Sequence, residues 1–240
     1  MRLHLEPAVL ERRYKRFLAD VILPDGSRRT VHVPNTGSMA TLNNPGCPAW
    51  LHLAANPARK LAYTLSLVGT PGGGLSIIDT GLPNTLAYDA VLAGTIPELA
   101  GYAGVRREVR YGSRGSRIDL LLTGHATKPD CWVEVKNVTM LGAPDRADFP
   151  DAVTERGLKH LEELSDVVAD GKRGVQLYLI DRTDCTAAGI AHGFDRAYGA
   201  MAKRAALAGV EFLAYRLRVR RRGGVFDLSL TGPCPVSGLV

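Results

Sequence analysis

Short runs of alternating apolar and polar residues fill the first third of the chain. "RFLADVIL" (16–23) and "RTVHV" (29–33) flank "PDGS", and a Pro-Asp-Gly turn between two such runs predicts a β-hairpin. "AWLHLAA" (49–55), "LAYTLSLVGT" (61–70) and "LSIIDT" (75–80) extend the series, the last two joined through "PGGG". Short strands at this spacing predict a small barrel or sandwich. The period then changes. "DTGLPNTLAYDAVLAGTIPEL" predicts a helix entered at Pro83 and Asn84, with Asn84 as N-cap, and closed by Gly94 and Pro97.

Three strands follow: "VRREVRYG", "SRIDLLLT" and "CWVEVKNVT". "APDRADFP" reads as a loop. In "DAVTERGLKHLEELSDVVAD" Asp151 is the expected cap, and Val153, Leu161, Leu164 and Val168 recur at helical spacing. "GVQLYLI" is a buried strand, "FDRAYGAMAKRAALAG" a helix and "VEFLAYRLRV" a strand, while the tail after it carries little signal. Strands alternating with helices imply a mixed α/β sheet. The expected division is 1–81 for the barrel and 82–240 for the α/β unit, a fold of the α+β kind.

Charges interrupt two of these strands. Glu134 and Lys136 share one face of their strand, and Val133 and Val135 take the other. With the connecting loop centred between Ala126 and Thr127, Asp119 falls opposite Glu134, and opposed residues point the same way. Two adjacent carboxylates repel unless a cation lies between them. A hard divalent ion, Mg²⁺ or Mn²⁺, suits this pair, being held by one or two carboxylates plus water and substrate phosphate. Lys136 could orient the attacking water or neutralise developing charge. That chemistry is phosphodiester hydrolysis; the plain alternative is a set of half-exposed strand charges pairing with each other.

Arg156, His160 and Glu163 form a polar stripe on the next helix, where Arg156 could hold a phosphate and His160 face the metal, or the stripe could be a solvated face. "ERRYKRF" interleaves Arg13, Lys15 and Arg16 with Tyr14 and Phe17, which suits a surface tracking a nucleic-acid strand. The alternative there is one basic face with Phe17 in the core. Asn35 and Thr36 lie in a turn whose N–H groups could meet phosphate, and Arg117 adds a cation beside Asp119.

The 240 residues carry a net charge of +6, which favours an anionic partner. Four scattered cysteines form no CxxC or Cys/His cluster, and no apolar stretch reaches membrane length. Those features place the chain in a reducing cytoplasm, away from membranes. No GxSxG, HExxH or GxxxxGK[ST] appears, so no nucleotide cofactor is expected. A homo-oligomer is permitted by all of this and required by none of it.

"RYKRFLADVILPDG", "HVPNTGSM", "SRIDLLL…PDCWVEVKNVT" and "FPDAVTERGLKHLEEL" together resemble the sugar fermentation stimulation protein A family over nearly the whole chain. The resemblance implies an OB-type barrel followed by a PD-(D/E)xK nuclease-like domain, with Asp119, Glu134 and Lys136 as its D and ExK residues. It also implies a further acid on the preceding helix. "LPNTLAYDAVL" looks like the family's Asn-x-Leu-x-x-Glu-Ala segment, which carries that role to Asp89, and Glu108 is the other contender. DNA binding and regulation of sugar (maltose) metabolism are further implications, and a non-catalytic regulator on a nuclease scaffold is the rival to the enzyme reading.

Overall fold

The computed structural model describes residues 1–35, 37–112 and 114–239. Strand β1 (Arg2–His4) opens the chain but belongs to the second unit, pairing with Val225–Asp227. The barrel follows: β2 (Glu6–Tyr14), β3 (Leu18–Ile22), β4 (Arg28–His32), β5 (Pro48–Leu53) and β6 (Tyr63–Gly69). They lie in the order β4-β3-β2-β5-β6, and a parallel bridge from His32 to Thr64 closes five strands into an OB-like barrel. Closure leaves no free edge between β4 and β6. The expected hairpin is there, its Asp25 carboxylate accepting the Ser27 N–H at 2.9 Å with Gly26 at φ +82°. Inward residues Leu10, Val21, Val31, Leu51 and Leu65 are fully buried. Strand β7 (Leu75–Ile77) continues the sheet beside β6.

The second unit runs α1 (Gly81–Leu92), β8 (Gly104–Tyr111), β9 (Ser116–Thr123), β10 (Cys131–Val138), β11 (Met140–Ala143), β12 (Arg146–Phe149), α2 (Glu155–Ala169), β13 (Arg173–Ile180), β14 (Ala187–Ile190), α3 (Arg196–Leu207), β15 (Glu211–Arg222), β16 (Val225–Pro233) and β17 (Val236–Ser237). Seven strands form the main sheet in the order β1-β16-β15-β13-β10-β9-β8, with β10, β13 and β15 parallel. Helix α1 covers one face through Leu86, Ala87 and Val91 against Val133, Val135 and Leu177. Helices α2 and α3 cover the other through Leu161, Leu164 and Met201 against Tyr178 and Ile180. Central β13 is buried at every position from Gly174 to Ile180, as a parallel strand covered on both faces must be. At Gly174 a Cβ would come within 2.8 Å of the Leu164 carbonyl oxygen, so glycine lets α2 settle on the sheet.

Several boundaries differ from the sequence expectation. Helix α1 starts at Gly81 after Thr80, which places Asn84 inside the first turn and frees its side chain from capping. Helix α2 starts at Glu155, and Thr154 caps it, Oγ1 accepting the Gly157 N–H at 3.0 Å, so Asp151 is not the cap. Val153 lies before the helix and is 75% exposed. "APDRADFP" contains β12, and the tail supplies β16 beside β15. Both strands are the second arms of tight hairpins, β12 with β11 and β16 with β15 across Gly223–Gly224. Among the described residues no helix is long and apolar enough to cross a membrane.

Arg182 joins the two units. Its side chain is inaccessible to solvent; Nη1 donates to Thr41 Oγ1 in the barrel at 3.0 Å and to the Thr139 carbonyl at 3.1 Å. Nε and Nη2 bind the Asp184 carboxylate at 3.0 and 2.9 Å. Removing one partner of a buried pair leaves an uncompensated charge. Asp184 is only half-buried, so Arg182→Ala should lower the unfolding free energy in urea by about 2–3 kcal/mol through the lost charged hydrogen bonds.

Candidate metal and phosphate site

The β9–β10 ladder pairs Leu122 with Cys131, Leu121 with Trp132 and Leu120 with Val133. Continued by one residue, the same register sets Asp119 opposite Glu134, as the loop-centre argument requires. Asp119 ends the ladder. Its Oδ2 accepts the Val135 N–H at 2.7 Å, taking the place of a strand carbonyl. Asn84 of α1 donates to Oδ1 at 2.8 Å, so both oxygens of Asp119 are oriented.

Glu134 and Lys136 lie on the α2 face, away from Val133 and Val135. That face is covered. Glu134 is 3% exposed, and its Oε1 receives Lys136 Nζ at 2.6 Å together with His160 Nδ1. Arg156 Nε donates to His160 Nε2 at 3.4 Å, and Lys136 Nζ lies 3.2 Å from His160 Nδ1. Glu134 Oε2 is buried with no hydrogen-bond partner. The stripe predicted on α2 is thus not a solvated face: His160 and Glu163 are both buried, and only Arg156 is exposed.

The two carboxylates are driven apart electrostatically. Burial raises the Asp119 pKa, the Glu134 charge raises it further, and the Val135 N–H and Lys136 offset only part, leaving it at about 7. Burial also acts to raise Glu134, but Lys136 and His160 outweigh it and hold that carboxyl below its ordinary value.

Asp119, Glu134 and Lys136 open into a cleft of about 450 Å³ between the units, lined from the barrel by Arg16, Asn35 and Gly37 and from α2 by Arg156. The other expected residues are placed differently. Asp89 is exposed on α1 and does not line the cleft; Asn84 is the α1 side chain that reaches it. Glu108 falls opposite Asp119 in the β8–β9 register, at φ +53°, and is exposed. With Arg117 it lines a separate hollow of about 290 Å³, which Arg156 and His160 also border. Arg13 points into the barrel's own loops, its guanidinium donating to the carbonyls of Arg16, Asn35, Gly37 and Ser38 at 2.8–3.1 Å. Tyr14 donates to Asp20 at 3.1 Å. Lys15 is exposed in a turn at φ +48°, and Phe17 is 46% exposed rather than in the core. Thr36 lies outside the described residues.

Residues 81–223 match the family model for the sugar fermentation stimulation protein RE domain, and residues 12–77 match that for the SfsA N-terminal OB domain. The chain belongs to the sugar fermentation stimulation protein A family. Within that family, a sugar fermentation stimulation protein homolog from Geobacter metallireducens is 53% identical over 97% of each chain. One from Brucella ovis is 50% identical over 89% of each. The structure of Pyrococcus furiosus SfsA in complex with Ca²⁺ superposes with a TM-score of 0.84 at 26% identity, covering 97% of this chain and 96% of that one.

Asp119 gives stability a signed pH dependence. The unfolded group titrates near 3.8 and the folded one at about 7. The folded state therefore binds more protons between those values, and stability falls as pH rises through the window. In metal-free protein the loss should reach the order of 4 kcal/mol above pH 8 and vanish below pH 4. Asp119→Asn should flatten that slope in urea titrations run in chelator from pH 4.5 to 8.5; an unchanged slope would place the titration elsewhere.

Proposed function

We propose that this family member is a divalent-metal-dependent phosphodiesterase acting on nucleic acid, with DNA as the first candidate substrate. The observation that carries the reading is a buried and a half-buried carboxylate beside one ammonium: Glu134 Oε2 has no partner, Asp119 faces the same cleft, and Lys136 is 2.6 Å from Glu134. Among the described residues no group of three His, Cys, Asp or Glu side chains is disposed to hold a metal. Two carboxylates nevertheless suit Mg²⁺ or Mn²⁺, since such ions keep several waters and take remaining ligands from substrate phosphate. The Ca²⁺ of the Pyrococcus relative supports a hard cation on oxygen ligands. A bound ion would offset the repulsion that raises Asp119 and would stabilise charge on the phosphoryl oxygens.

The chain's own groups have distinct parts in this reading. Asn84 and the Val135 N–H orient Asp119, and His160 with Lys136 fixes Oε1 of Glu134 while Oε2 has no partner. Lys136 brings positive charge next to the position where phosphate oxygens gain negative charge. Arg16 and Arg156, on opposite walls, attract the backbone of the substrate. One observation favours a second reading, a non-catalytic DNA-binding regulator of sugar metabolism: neither Asp89 nor Glu108 completes a three-acid site.

Cleavage separates the two. With single- and double-stranded DNA and RNA, the enzyme reading expects Mn²⁺- or Mg²⁺-dependent hydrolysis that chelator stops and Glu134→Ala abolishes. Lys136→Met should retain metal binding by calorimetry while losing at least ~10²-fold in rate. Nucleic-acid binding with no hydrolysis under any of these conditions would leave the regulator.

A further inference from the structure

We infer that the cleft takes a single strand, and that a section of the barrel forms a fixed roof which keeps a duplex from the carboxylates. This deepens the proposed function and rests on it for the claim that the cleft receives nucleic acid. The roof is made by Pro34, Asn35, Gly37 and Ser38. On the α1 side it is tied down where Thr80 Oγ1 donates to the Pro34 carbonyl at 3.3 Å. On the α2 side Gly37 packs directly on the Asp151 carboxylate, with no room for a side chain, and Ser38 Oγ donates to Asp151 Oδ2 at 3.4 Å.

The described residues of the roof are also bonded to one another and to the barrel. Asn35 is 7% exposed, and its Oδ1 accepts the Gly37 N–H at 2.8 Å. Beneath, the Arg13 guanidinium gathers three roof carbonyls, those of Asn35, Gly37 and Ser38, together with that of Arg16. Arg13 is desolvated enough for burial to lower its pKa, and this cation is already committed to main-chain acceptors. Asn35 and Gly37 line the same cleft as Asp119 and Glu134. The barrel therefore stands over the reacting centre, where a duplex approaching with both strands would need open space.

What remains beneath the roof is about 450 Å³, in the range of a pocket for one small ligand. Its furnishing suits one unpaired strand. Arg16 and Arg156 on opposite walls can each meet a phosphate, while Phe149 and Val153 supply apolar wall against which a base can lie. Base edges of a duplex are already paired and stacked, so that apolar wall would have no use for it.

The test uses the wild-type chain with Ca²⁺ and one labelled 20-nucleotide DNA offered three ways: free, as a blunt duplex, and as a duplex with a single-stranded tail. Fluorescence anisotropy should give at least about tenfold tighter binding to the free and tailed forms than to the blunt duplex. Arg16→Ala should weaken the free strand about three- to tenfold and lower the salt slope by about one, with thermal stability unchanged. With Mn²⁺, scission should map to unpaired nucleotides. Equal or tighter binding of blunt duplex, scission within its paired interior, no measurable binding of any form, or an Arg16→Ala affinity equal to wild type would each overturn the roof. Single-strand preference with no scission anywhere would instead leave the roof standing and remove the phosphodiesterase.

Discussion

The bond from the Val135 N–H to Asp119 Oδ2 does more than hold one side chain. At that point the β9–β10 ladder stops using main-chain acceptors, and a carboxylate takes over the last donor. The substitution ties the position of Asp119 to the register of the whole hairpin, because a shift of one residue would separate it from Glu134. It also leaves Asp119 half-buried at the cleft. Its carboxylate then sits beside Glu134 with little water to separate the charges, and only one of the two can be ionised easily.

The protein resolves this conflict unequally. Glu134 receives both cationic or proton-bearing neighbours, Lys136 from its own strand and His160 from α2, while Asp119 receives neutral donors. One carboxylate is therefore fixed as an anion and the other is left hard to ionise. An unpaired Oε2 and a reluctant Asp119 are costly arrangements in a core. They are retained at the point where barrel and sheet meet, which is where a cation and an anionic substrate could offset them.

Much of the fold was legible because periodicity is a local property. The barrel strands, the hairpin at Pro24–Ser27, both later helices and buried β13 were all readable from short windows of apolar spacing. The site's centre was legible for a related reason: Asp119, Glu134 and Lys136 sit on neighbouring strands, and a loop midpoint is enough to align them. The failures have a shared cause too. Asn84 looked like a cap since polar residues at helix entrances usually are, yet Thr80 precedes the helix and Asn84 turns to Asp119. Asp89 followed a family spacing but faces solvent. Arg13 looked like a phosphate contact, and only the fold of the barrel shows four carbonyls converging on it.

By itself the sequence determined the strand and helix periods, the hairpin register, and hence which charged residues share a face; these depend on separations of a few residues along one or two neighbouring elements. Tertiary structure decided everything that required distant segments to meet. It buried His160 against Glu134, twenty-six positions away, and turned a stripe that could have been solvated into part of the core. It set Pro34–Asn35 and Gly37–Ser38 over acids more than eighty residues later. A side chain's face follows from local geometry, whereas what lies across from that face follows from packing of the whole chain, and that packing made a cleft out of a charged hairpin.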